Sequence, residues 1–295
     1  MISSGKNLLK ALRIEETLLL TGFFIIGGVF ANDKITPASF IYFLAIAIIA
    51  FFINNALYAY NAYTGKTKDV LNARLIHLQE LSKTRYLQYA VLLFIVALAV
   101  AWRVNNKLFF GAVILGILGT VYSWSFTKFS ANSISGTFIH FVYQIVAFHA
   151  AFAVFKPVSS ASFLISVYFA LLFSAGHLHH QIIDYEADKK ASKKTGAIRW
   201  GIIKTGYFSM ILFTTGAVYW VVIYFTGVIK IYELLLFAGA YILHLLFFVK
   251  YATLRVPTDK AAAGMPVLMK KHLVYRGYYR ICYFLAGIGL IIFKL

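Results

Sequence analysis

The strongest constraint in this chain is the recurrence of long apolar runs such as PASFIYFLAIAIIAFFINNALYAY, residues 37–60. A helix rises about 1.5 Å per residue, so about 20 apolar residues cross a hydrocarbon core of about 30 Å. Lipid offers backbone groups no hydrogen bonds, so such runs must bond internally as helices. Nine segments qualify: 14–31, 38–60, 87–102, 108–122, 135–155, 161–176, 206–226, 231–249 and 279–293. Only 13% of the 295 residues are charged, where soluble domains carry about a quarter, so lipid is the main solvent. The expected fold is all-α: one polytopic membrane domain over 1–295, with nine transmembrane helices and a cap of polar loops. The first apolar run lacks a small-x-small cleavage pattern and is read as a retained helix. The single Cys282 allows no disulfide within the chain.

Charge then sets the orientation. Of the 28 Lys and Arg residues, 22 fall on the side of the N-terminus, the short loop with Lys128 and segments 61–86, 177–205 and 250–278, counting Arg280 with the segment it borders. The positive-inside rule places that side in the cytoplasm, with the chain in the cell membrane. The formal charge of +18 is thereby a topology signal, and nucleic acid is excluded as a partner. The opposite connections are short, whereas these three segments are long and polar, as ordered functional loops tend to be.

One of them begins HLHHQIIDYEADKKASKKTG, residues 177–196. The chain has ten carboxylates, and three of them, Asp184, Glu186 and Asp188, fall within five residues here. At helical spacing His177, His180 or Gln181, Asp184 and Asp188 share one face. Two acids one turn apart suit Mg²⁺ chelation through oxygen, and the following Lys189, Lys190, Lys193, Lys194 and Arg199 suit phosphate. A solvated interfacial helix end, or a zinc site of His177, His180 and Asp184, fits the spacing as well. A second polar face lies in INNALYAYNAYTGKTKD, residues 53–69, where Asn54, Asn55, Tyr58 and Asn61 follow helical spacing ahead of Lys68. Buried amides need partners, so Asn54 and Asn55 face the bundle, as ligands or as interhelical hydrogen bonds. A third, YSWSFTK, places Tyr122 before Lys128. His140, Gln144 and His149 fall inside an apolar run and face the bundle or a cavity. The many Phe and Tyr residues suit an isoprenoid tail or a carbocation as well as lipid-facing packing.

These stretches resemble the UbiA superfamily of intramembrane prenyltransferases, built of nine helices with aspartate motifs after helices 2 and 6. QIIDYEADKKASKKTGAIRWG is similar to the second motif, D-x-x-D-x-x-x-D and a basic stretch, with Asp184 and Asp188 on its last two acids and Gln181 on its first. YSWSFTK resembles the stretch after helix 4, keeping Tyr122 and Lys128 without the usual proline pair, and LRIEE resembles the entry to helix 1, carrying Arg13. The first motif departs from N-D-x-x-D-x-x-x-D: Asn54 is kept, but Asn55, Tyr58 and Ala62 stand at the acid positions.

The resemblance implies a polyprenyl diphosphate substrate, a lipophilic or aromatic acceptor, and Mg²⁺. It casts Asp184 and Asp188 as catalytic metal ligands with Asn54, and Arg13, Tyr122, Lys128 and Lys193 as diphosphate contacts. The lost acids imply a single ion, with Arg13, Lys68, Lys128 or the basic run replacing the second charge. A terpene cyclase of the same type, and a non-catalytic isoprenoid-binding or transport protein, are the two other readings.

Overall fold

A computed structural model of the chain describes residues 14–69, 81–124, 126, 127, 129–251 and 261–295, with backbone alone at 14, 15, 18, 19, 66–69 and 261–267. Among the described residues every regular element is a helix, apart from an isolated bridge between Asn132 and Lys194. The helices are α1 (Ile14–Ala31), α2 (Pro37–Asp69), α3 (Lys83–Val104), α4 (Asn106–Ser123), α5 (Ser133–Phe152) and α6 (Ser160–Ile183). Two short helices, α7 (Tyr185–Lys190) and α8 (Gly196–Trp200), precede α9 (Ile202–Phe225), α10 (Ile231–Tyr251) and α11 (Ala261–Lys294).

Eight of these are long and apolar enough to cross a membrane, and α1 adds a shorter apolar stretch, Leu20–Ala31. The protein is an integral membrane protein. The expected nine spans thus become eight by length and composition among the described residues.

Hydropathy also set three helices too short. The second run was expected to stop at 60, the sixth at 176 and the last to begin at 279, whereas α2 runs to Asp69, α6 to Ile183 and α11 starts at Ala261. Lys, Tyr and His stop a hydropathy window, yet they continue a helix that is already nucleated. Much of the expected loop cap is therefore helical. Helix starts follow local chemistry: Asn105 accepts from Lys107 N at 2.8 Å, Asn132 from Ile134 N at 3.0 Å, and Ser159 and Ser162 form a reciprocal capping box.

Helices α2 to α5 pack in sequence, α6 packs on α5 and α9, and α11 packs on α10 and returns to α6 and α1. Helix α1 touches α2, α5, α6 and α11, so it lies between the two halves. One core joins Ile46, Ile49 and Ile53 of α2 to Ala97, Leu115 and Ala147; the other joins Phe30, Phe148, Phe169, Trp220 and Phe237. In lipid, close packing of small residues replaces the hydrophobic drive. A Cβ on Gly27 of α1 would collide with the Phe148 carbonyl of α5. Outward faces such as Val91, Leu92 and Ile95 of α3 are exposed and apolar, as a lipid contact requires.

At the end of the bundle away from α7 and α8, Lys294 Nζ donates to Val29 O at 3.0 Å and Asn32 O at 2.9 Å, 3.5 Å from Glu233. This locks the end of α11 to α1 and α10. At the opposite end, called the cap here, α7 and α8 cover the bundle, and Lys194 N donates to Ala131 O at 3.0 Å.

Candidate active site

An internal cavity of about 320 Å³ lies between α1, α6 and α11. Its cap end carries Tyr58, His177, His180, Arg276 and Arg280, and the rest is mostly aromatic and aliphatic, including Phe173, Phe213, Phe237 and Ile291. Among the described residues no carboxylate lines it. Along α11 it extends from Arg276 to Ile291, about 22 Å at 1.5 Å per residue. Phe284 and Ile288 line it and are 57% and 37% exposed, so the cavity is open along this part of α11. A smaller cavity of about 110 Å³, lined by Asn54, Tyr58, Tyr122 and Tyr143, shares Leu20, Tyr58, His140 and Phe173 with the larger one.

The second motif lies at the cap end of α6. Gln181 is buried, and its Oε1 accepts from Gly196 N at 2.7 Å and Ser133 Oγ at 3.1 Å. Its amide nitrogen lies 3.1 Å from His177 Nε2. Gln181 therefore fastens α5 and α8 to α6. A Cβ on Gly196 would stand 2.8 Å from Ser133 Oγ and 3.0 Å from Gln181 Oε1, so this junction has room for glycine alone. His177 stacks on His140 with ring centroids 3.7 Å apart, and Tyr122 meets His140 edge-on at 4.7 Å. Helices α4, α5 and α6 so join at the cavity wall.

The two acids face other partners. Asp184 Oδ2 lies 3.2 Å from His180 Nε2, and Asp188 Oδ1 lies 3.1 Å from Lys193 Nζ. Burial raises the Asp188 carboxyl above the usual aspartate value, Lys193 opposes that rise, and Asp184 adds to it. Neither acid lines either cavity.

On α2, Asn54 Oδ1 accepts from Tyr143 Oη at 3.1 Å, while its Nδ2 is buried without a partner. Asn55 Nδ2 donates to Thr17 Oγ1 at 3.1 Å and Phe51 O at 2.8 Å, fastening α2 to α1. Asn54, Tyr58, Tyr122, His177 and His180 thus gather at the cavities, whereas Asn55, Gln181, Asp184, Asp188 and Lys193 are engaged beside them. Arg13, Lys128 and the side chain of Lys68 lie outside the described residues.

Sequence reasoning passed over Arg276 and Arg280 as topology charges. Arg276 is 5% exposed, with Nη2 3.8 Å from Glu16 Oε1 and Nε without a hydrogen bond. Arg280 fell inside the expected last span, and a charge within a span was the available signal.

The chain is thus a membrane-crossing helical bundle around a cavity with a cationic end and an apolar body. The UbiA prenyltransferase family model matches residues 20–273, and the chain belongs to that family. Among solved structures, a UbiA homologue from Archaeoglobus fulgidus bound to GPP and Mg²⁺ superposes with a TM-score of 0.68 at 18% identity, covering 97% of this chain and 99% of that one. The apo UbiA homologue from Aeropyrum pernix K1 gives 0.67 at 15% identity over 96% and 99%. A structure of digeranylgeranylglyceryl phosphate synthase gives 0.64 at 18% over 97% and 98%. These likenesses establish the fold. A search of curated proteins finds no match.

Asp184 and Asp188 of the second motif stand as the candidate ligands for a divalent ion. Among the described residues no three of His, Cys, Asp and Glu group as ligands, so the His177, His180 and Asp184 set does not close. Asp184 and Asp188 face His180 and Lys193, and the first-motif face offers amides and a phenol in place of acids.

Proposed function

We propose that this protein is a membrane prenyltransferase that takes a prenyl diphosphate into the larger cavity and transfers the prenyl group to a lipophilic or aromatic acceptor. The observation that carries this reading is the polarity of that cavity. Arg276, Arg280 and His180 crowd one end, and an apolar, aromatic passage leads along α11, open at Phe284 and Ile288. An anionic head on an isoprenoid tail matches both parts, and the cavity is within the size range of small-molecule sites. The positive-inside count supports a cytoplasmic cap.

In the reaction the C1–O bond of the allylic diphosphate breaks and its electron pair leaves with the diphosphate. The acceptor attacks the allylic cation, a new bond to C1 forms, and the acceptor loses a proton. Cationic side chains aimed at the departing oxygens lower this barrier, because charge develops there in a site of low dielectric. The faces of Phe173 and Phe213 favour the cation. Asp184, Asp188 and Asn54 would hold a Mg²⁺ ion, which would supply charge to the leaving diphosphate; the two acids here face His180 and Lys193.

A second reading is favoured by one observation: both second-motif acids already have partners in the chain, Asp184 facing His180 and Asp188 facing Lys193, as in a protein that binds isoprenoid lipid without turning it over. Purified full-length protein incubated with geranyl diphosphate, with and without aromatic and lipid acceptors, separates the readings by mass spectrometry. A prenylated acceptor supports transfer. Diphosphate release with a cyclic hydrocarbon identifies a cyclase, and saturable binding without any product identifies the lipid-binding protein.

A further inference from the structure

Two guanidinium groups stand one turn apart on α11, and both line the larger cavity. Residues four apart share a helix face, so Arg276 and Arg280 point to the same side. Arg276 is 5% exposed, and Glu16 is its only carboxylate neighbour among the described residues, at 3.8 Å, at the outer limit of an ion pair. Its Nε is buried without a hydrogen bond. Arg280 makes no hydrogen bond or ion pair among the described residues. A buried charge short of partners is costly, and an arrangement of this kind suits an anion that arrives from outside.

The facing wall explains why the anion site is cationic. Tyr58 of α2 lines the same cavity, at a position where the related motif carries an aspartate. An acid there, with an acid at 55, would present negative charge that needs a metal ion before a diphosphate can approach. With Asn55 and Tyr58 in their place, no acid lines that side among the described residues, and the arginines are the charged groups lining the cap end of the cavity.

We propose that Arg276 and Arg280 form a guanidinium clamp that holds the diphosphate directly, so that substrate binding does not require a divalent ion. This rests on the prenyl diphosphate reading and specifies how the head group is held. Guanidinium presents N–H groups in a planar fork that matches phosphate oxygens two at a time, which an ammonium cannot do. His180 and Tyr58 border the same end of the cavity, while the tail lies along α11 toward Ile291.

The test uses the full-length protein in detergent with geranyl diphosphate as probe, titrated by calorimetry in EDTA and again in Mg²⁺. The expected affinity changes by less than about threefold between the two. Arg276→Gln and Arg280→Gln each weaken it by about tenfold or more, as expected for a lost charge-assisted hydrogen bond, and Arg280→Lys recovers only part. Glu16→Gln combined with Arg276→Gln also neutralises the carboxylate that faces the arginine, and thermal unfolding confirms that each variant is folded. Geraniol and inorganic diphosphate bind more weakly than the probe if head and tail share one site.

The clamp is overturned if EDTA abolishes binding, or if the folded arginine variants bind as the parent does. The failures separate cleanly. Arginine-dependent binding without turnover leaves the clamp standing and removes the transferase reading. Turnover that needs Mg²⁺ and ignores both arginines does the reverse.

Discussion

Asp188 Oδ1 lies 3.1 Å from Lys193 Nζ, and the Lys193 amide also donates to the Asp188 carbonyl at 3.0 Å. The loop after α7 thus closes on itself, with Asp188 only 5% exposed. This pairing makes the second motif a cap brace as well as a charge cluster.

It has a pH signature. Burial raises the Asp188 carboxyl, so the folded protein binds its proton at a pH where the unfolded chain has released it. The contribution to stability is therefore present at low pH and falls as pH rises from the unfolded aspartate value through the raised one. Lys193→Met removes the opposing charge and should move the Asp188 titration further upward. Thermal unfolding of parent and variant between pH 4 and pH 8, about the range where detergent-solubilised protein is tractable, checks the sign.

Gln181 stands where the related motif has its first acid, yet it accepts two hydrogen bonds that hold α5 and α8. Gln181→Leu leaves a buried hydroxyl and a buried amide N–H unpaired, a loss of about 1–3 kcal/mol for each group. A melting temperature lowered by several degrees is expected, and Gly196→Ala should act in the same direction by crowding that junction.

At the far end, Lys294 is 3% exposed and faces Glu233 at 3.5 Å. Lys294→Met leaves the buried Glu233 carboxylate with the Lys230 amide but without its cation, and breaking a buried pair from one side costs about 3–5 kcal/mol. Glu233→Gln with Lys294→Met should recover part of that loss. Unfolding of the single and double variants in detergent measures the coupling.

Gly22 and Gly287 line the larger cavity, and a Cβ on either meets nothing within 4 Å. Gly22→Phe and Gly287→Phe should fill tail space without disturbing packing. They are expected to discriminate against long prenyl diphosphates more than against geranyl diphosphate, read as the ratio of the two affinities.

The membrane class and the bundle were legible because period and run length report burial in lipid directly. The limits of α2, α6 and α11 were not, since hydropathy registers the solvent around a residue and a helix continues past the lipid boundary. The charge clusters at Asp184 and Asp188 drew attention by density, but density does not reveal that His180 and Lys193 already face them. Arg276 and Arg280 were overlooked because a basic residue near a helix end also serves orientation. Only the convergence of α1, α6 and α11 shows which way these two face.

The most direct measurement is a structure of the full-length protein with a non-hydrolysable prenyl thiodiphosphate. The thiodiphosphate is expected within hydrogen-bond reach of the Arg276 and Arg280 guanidiniums, and the tail in the passage toward Ile291. A head group held instead through metal ions on Asp184 and Asp188, with both arginines unengaged, would contradict the clamp.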